Sequence, residues 1–250
     1  GKGYIRAAIV EAGALDALVG LLRVGRLEHE ATADAARALG NLAYGDAEGH
    51  IKAAILEAGA VEPLVAMLRA GRPGQEVTAD AAMLLGDLAD GDDEGHARKA
   101  AIIEAGALDA LVAVLRAGRP GNEATAKAAR ALGTLGCGRE AHRAAIVDAG
   151  ALEPLVAVLR LGRPDQKATA CAAEALGNLA YGDDERRRRA IVAAGALPPL
   201  VAVLRAGFPE LEATADAARA LGNLAYGDDE GRRAAIVEAG AVEALVGVLA

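Results

Sequence analysis

Ala38-Leu39-Gly40-Asn41-Leu42-Ala43-Tyr44-Gly45-Asp46 recurs unchanged at 175–183 and at 220–228, and looser copies stand at 84–92 and 131–139. Self-similarity at such a period marks a stack of like units rather than a globular domain around one core. Outward from that stretch, an Ile followed by an apolar residue opens each unit at Ile9, Ile55, Ile102, Ile146, Ile191 and Ile236, at intervals of 44 to 47 residues. Residues 1–250 therefore read as one all-α solenoid of five full units and a partial sixth, expected to be a fragment of a longer chain or to have its end covered by another molecule.

Each unit reads as three helices. The first is short and ends at Gly13, Gly59, Gly106, Gly150, Gly195 or Gly240, each followed by Ala. Gly suits a helix C-terminus that turns through positive φ. The second helix carries Leu15, Leu18, Val19 and Leu22, the i, i+3, i+4, i+7 stripe of a half-buried helix. Asp16, Glu62, Asp109, Glu153 and Glu243 complement the dipole in its first turn. Pro63, Pro154 and Pro199 are tolerated in that same turn, where a missing N–H costs little. Gly25, Gly71, Gly118, Gly162 and Gly207 stop the helix, and Pro73, Pro120, Pro164 and Pro209 prevent its resumption.

The third helix is predicted from about Glu30 to Tyr44. At 100° per residue, Ala35, Ala36, Leu39 and Leu42 share a core side, while Asp34, Arg37, Asn41 and Tyr44 share a surface stripe. Gly40, Gly86, Gly133, Gly177 and Gly222 fall at one phase and predict close approach of helix backbones.

Hydrophobic residues make up 53% of the chain but aromatics only 2%, which fits thin helices packed through Ala, Leu, Val and Ile. A formal net charge of −8 argues against nucleic acid as a partner, since a basic surface supplies most of that affinity. The longest apolar run, Ala193 to Leu204, has 12 residues and two prolines, too short to span a bilayer. Cys137 and Cys171 are expected to stay unbridged thiols, which points to an intracellular, cytoplasmic or nuclear setting. No nucleophile elbow, phosphate loop or metal-ligand spacing is present, so an enzyme, a metal site and a cofactor are not expected.

His50, His96 and His142 read as equivalent positions that the repeats hold apart, so they form no metal site. Arg186 to Arg189 reads as a solvated face at the start of a first helix. The Gly-Asp-Asp-Glu segments at 91–94, 182–185 and 227–230 read as helix N-caps. The rings of Tyr44, Tyr181 and Tyr226 are expected over the loop to the next unit.

A three-helix unit of this length, with Gly-Ala-Leu-x-Pro-Leu-Val and Ala-Leu-Gly-Asn-Leu-Ala, resembles the armadillo repeat over essentially the whole chain, closest to the importin-α and plant or protist subtype. The resemblance implies a right-handed α-solenoid whose third helices line a concave groove. It also implies that Asn41, Asn178 and Asn223 grip the backbone of an extended peptide, with Asp87 and Thr134 interrupting the ladder. An amide suits that role because it both donates and accepts. Where importin-α places Trp, four residues before each Asn position, this chain has Arg37, Met83, Arg130, Glu174 and Arg219. A carrier of basic signals is thereby disfavoured. Arg37, Arg130 and Arg219 point instead to a protein or extended peptide of mixed or acidic charge. With packed helices ~8–10 Å apart and extended chain advancing ~3.3 Å per residue, each unit would cover about two to three ligand residues.

The bland alternatives are that the Asn side chains bond neighbouring helices and that Arg37 and Arg219 pair with Asp34 and Asp216 three residues earlier. A structural subunit bound through its ends and convex face is a second reading of the chain. Val242, Leu245, Val246 and Leu249 form an apolar stripe in the sixth unit that favours end-to-end self-association. The near-identical units fit recent duplication or a consensus-designed scaffold. Uneven spacing, two cysteines and departures such as Glu174 favour duplication.

Overall fold

The computed structural model describes residues 9–10, 12–25, 30–46, 48–91, 95–206, 208 and 210–249. Gly207, Pro209, residues 92–94 and the side chain of Leu249 lie outside the described residues. The units supply α1 (Ala14–Val24) and α2 (Glu30–Ala43); α3 (His50–Glu57), α4 (Val61–Ala70) and α5 (Glu76–Ala89); α6 (Gly95–Glu104), α7 (Ala107–Ala117) and α8 (Glu123–Gly136); α9 (Glu140–Asp148), α10 (Leu152–Leu161) and α11 (Lys167–Ala180); α12 (Glu185–Ala193), α13 (Leu197–Arg205) and α14 (Glu212–Ala225); and α15 (Glu230–Glu238) with α16 (Ala241–Leu249). The described secondary structure is all helical, and successive units stack as a solenoid.

The junction between first and second helix turns on glycine as expected. Gly13, Gly59, Gly106, Gly150, Gly195 and Gly240 hold φ between 74° and 80°. The glycine after the second helix works differently. Gly71, Gly118 and Gly162 are extended, and a Cβ there would collide with the hydroxyls of Thr78, Thr125 and Thr169 in the following third helix. That turn is set by close approach, not by left-handed backbone.

The third helices α2, α5, α8, α11 and α14 form one continuous row, with Ala and Leu buried along it. A Cβ added at Gly86, Gly133 or Gly177 would stand 3.3, 3.3 and 3.4 Å from the Cα of Ala131, Ala175 and Ala220 of the next unit. The predicted close approach therefore holds at three of the five glycines. At Gly40 the nearest foreign atom is the Met83 Cε, at 3.9 Å, and at Gly222 nothing lies within 4 Å. The second unit carries Leu84 where the next three carry Ala131, Ala175 and Ala220, so the first pair of third helices lacks the small partner.

Basic side chains of the first helices cap the C-terminal ends of the third helices. Arg98 donates to the Leu88 and Asp90 carbonyls at 3.1 and 3.0 Å, and Lys99 to the Cys137 carbonyl at 2.8 Å. Arg187 donates to the Leu179 and Tyr181 carbonyls, and Arg188 to Gly182. Arg187 and Arg188 are buried, which corrects the reading of Arg186–Arg189 as a solvated face; Arg186 and Arg189 alone are exposed. Cations at helix C-termini satisfy orphan carbonyls and oppose the dipole. The N-cap reading holds where it can be judged: Asp184 and Asp229 accept from the backbone N–H of Arg187 and Arg232 at 3.1 and 2.9 Å.

Two further expectations change. Tyr181 and Tyr226 lie beneath the guanidinium groups of Arg143 and Arg188, at 5.6 and 5.7 Å from the ring centroids, so they pack on their own unit's first helix. The three histidines are not equivalent. His50 is exposed, whereas the rings of His96 and His142 meet edge-on at 6.1 Å across adjacent units. Counted from the Ile that opens each unit, His142 occupies the phase of Arg98, Arg187 and Arg232.

Candidate functional site

The surface stripe of the third helices carries three matched phases. The first holds Asp34, Asp80, Lys127, Cys171 and Asp216; the second Arg37, Met83, Arg130, Glu174 and Arg219; the third Asn41, Asp87, Thr134, Asn178 and Asn223. Each third helix thus presents one residue of each kind, about one turn apart along its axis.

The Asn side chains reach sideways. The Asn178 Nδ2 donates to the Gly133 carbonyl at 3.2 Å, and the Asn223 Nδ2 to the Gly177 carbonyl at 2.9 Å. Each therefore spans from its own unit to the one before, as the alternative reading of an ordering bond anticipates. One Nδ2 hydrogen on each amide is left over from that bond. The Asn178 Oδ1 accepts from Arg219 at 3.1 Å, and Asn41 is exposed. Asn223 also lines a cavity of about 430 Å³ together with Tyr181, Asp183, Gly222 and Tyr226.

The arginines of the second phase are held by carboxylates. Arg37 meets Asp34 at 3.2 Å, Asp80 at 3.1 Å and Glu76 at 2.5 Å. Arg130 meets Asp87 of the preceding unit at 2.7 Å, and Arg219 meets Asp216 at 2.8 Å. The sequence alone shows the pairing with Asp34 and Asp216 but not the cross-unit pairs, because those depend on which phases face each other between helices. Desolvation raises the carboxyl groups of Asp80, Asp87 and Asp216 above their ordinary range, against the pull of Arg37, Arg130 and Arg219 respectively. Burial also pushes the Cys171 thiol up to about 11, which keeps it protonated and unreactive.

Among the described residues no cluster of three or more His, Cys, Asp or Glu is placed to hold a metal, and no helix is long and apolar enough to cross a membrane.

A family model for the Armadillo/beta-catenin-like repeat matches residues 184–226. A designed armadillo repeat protein of solved structure is 30% identical, aligned over 92% of this chain and 90% of its own, with a TM-score of 0.78. This chain belongs to the armadillo-repeat family. The armadillo solenoid also resembles an engineered protein at 38% identity, over 94% of this chain and 89% of that one, with a TM-score of 0.81. A third relative is a designed armadillo repeat protein in complex with the peptide (KR)4, 29% identical over 92% and 90% of the two chains, with a TM-score of 0.78. Among curated proteins none matches this armadillo chain by sequence.

Proposed function

We propose that this armadillo protein is a noncatalytic binding module that holds an extended peptide of mixed charge along the concave face of its third helices. The observation that carries the reading is the recurrence of Asn41, Asn178 and Asn223 at one phase of a continuous helix row. The cross-unit bonds of Asn178 and Asn223 fix each amide's orientation while leaving hydrogen-bonding capacity for a peptide backbone. A relative bound to (KR)4 supports the same mode of use. Asp80, Asp87 and Asp216 already engage Arg37, Arg130 and Arg219, so the groove offers both signs of charge to a ligand. That favours mixed over purely acidic segments.

The test is a peptide-array screen of the purified chain, repeated with Asn41, Asn178 and Asn223 changed to Ala. Binding should fall at least ~tenfold in the triple variant, the loss of roughly one net hydrogen bond or more. Circular dichroism should show the solenoid intact. Peptide binding indifferent to the three changes would sink the groove reading.

A second reading concerns the sixth unit. Val237, Val242, Leu245 and Val246 are exposed beside a cavity of about 360 Å³ that Leu221 and Ile236 also line. Apolar exposure of this kind favours end-to-end association or docking of another subunit. Light scattering of the chain against V242E/V246E should show a concentration-dependent mass that the variant loses. A consensus-designed scaffold is also consistent with the engineered relatives and leaves the groove argument unchanged.

A further inference from the structure

The armadillo row carries charged residues at the phases of residues 34, 37 and 41, and all but one are paired. Asp34, Arg37 and Asp80 form one set, Asp87 and Arg130 another, Asp216 and Arg219 a third, and Lys127 reaches Glu123. Glu174 is the exception. It stands in the fourth unit at the phase that Arg occupies in the first, third and fifth, half-buried, with no hydrogen bond or ion pair to any described residue. Burial, reinforced by Asp216 and Glu212, raises its carboxyl against the pull of Arg219 and Arg130. Those two arginines are committed to Asp216 and Asp87, so the local charge left over is negative.

A carboxylate partly stripped of water carries a desolvation cost, and no described residue offsets it through a direct hydrogen bond or ion pair. A guanidinium or ammonium from a ligand would offset it through a charge-assisted hydrogen bond. We infer that Glu174 is a cation subsite of the groove and receives a single Lys or Arg side chain of the bound segment opposite the fourth unit. The inference rests on the groove reading given above. It narrows the ligand from mixed charge in general to a segment with one cation at a fixed register. No other charged position along the three phases offers an unpaired carboxylate, so the preference is for one basic residue, not a basic run.

An oriented array of dodecapeptides tests this on the full chain, with Lys, Arg, Gln or Glu walked through each position. Wild-type chain should favour Lys or Arg at one register by ~tenfold over Gln, the scale of one charge-assisted bond. E174Q should reduce that preference to within about twofold while peptides with Gln at the register bind as before. E174R, which restores the pattern of the neighbouring units, should shift the preference to Glu. N178A/N223A should weaken every peptide alike, which reads the groove separately from the subsite. A cation preference that survives E174Q, or its absence among peptides that need Asn178, overturns the inference. If no peptide binds, titration with N-acetyl-arginine amide followed by the Glu174 side-chain carboxyl NMR shift still decides: a saturable shift supports the subsite, and none overturns it.

Discussion

A glycine inside a helix weakens it by about 1 kcal/mol against Ala, so a glycine repeated at one phase must return that stability through packing. Gly86, Gly133 and Gly177 do so by admitting the Cα of Ala131, Ala175 and Ala220, which a Cβ would meet at 3.3–3.4 Å, close enough that the facing helix would have to shift. Gly222 has the same sequence context and open space. Substitution with Ala should therefore act oppositely at the two kinds of site. G222A should stabilise the chain by up to ~1 kcal/mol, the propensity difference alone. G133A should lose that gain to strain and come out destabilised. Urea midpoints decide the matter, and equal shifts in the two variants would sink the argument. The phase of these glycines is legible in the sequence. Which of them packs is not, because that depends on the residue facing it from the next unit, and Leu84 in place of Ala shows how one neighbour alters the outcome.

At the scale of the helix, each third helix ends where a first helix brings a cation to its carbonyls. Arg187 is buried and bonded to Leu179 and Tyr181, whereas Arg186 beside it is exposed. R187A should cost roughly 2–4 kcal/mol, since two carbonyls lose a charged donor in a buried place, and R186A should be within about 0.5 kcal/mol of wild type. Comparable losses from both would mean that the run acts only through its total charge. The four arginines look alike in sequence, and only the helix phase set by burial of Ile191 separates them. The histidines were obscured for a similar reason: first helices begin at different distances from their opening Ile, so a shared residue type did not mean a shared place. His142 sits buried against His96, and burial, followed by His96 and then the charges of Lys99, Arg139 and Arg143, lowers its pKa. Glu140, the acid nearest in sequence, is bound to Arg143 and Arg187. A base with a lowered folded pKa takes up a proton more readily when unfolded, so its contribution is fully present above the ordinary His value and is lost as pH falls through it toward the folded pKa. Unfolding free energy measured at pH 7.5 and pH 5.5 should drop at the lower pH, and drop less in H142Q. A larger or equal drop in H142Q would show that other groups govern the acid side.

Over the whole molecule, stability in a solenoid is a sum of units and the contacts between neighbours, so position in the stack sets local stability. Matched residues show the gradient directly. Leu197, Leu200 and Val201 of the fifth unit are 5%, 0% and 1% exposed, and their counterparts Val242, Leu245 and Val246 in the sixth are 49%, 37% and 62%. Both second helices keep the same apolar phases, although Pro198-Pro199 stands where the sixth unit has Glu243-Ala244; what differs is packing, since the fifth-unit helix lies against both α14 and α16. Local opening should follow the same order. Amide exchange should be slowest around Leu132 and Leu176, whose helices have a neighbour on both sides and whose side chains are fully buried. It should be fastest in Ala241–Leu249, by a factor of ~100 or more, because a few kcal/mol of missing apolar burial separates the two. Mass spectrometry of peptides from both regions reads that ratio. Uniform exchange along the chain would instead mean that the units open together, and the additive picture would have to give way to a single cooperative transition. The same gradient bears on binding: a groove whose middle units open least presents Glu174 and Asn178 on its most rigid section, where less ordering entropy is lost when a ligand is held.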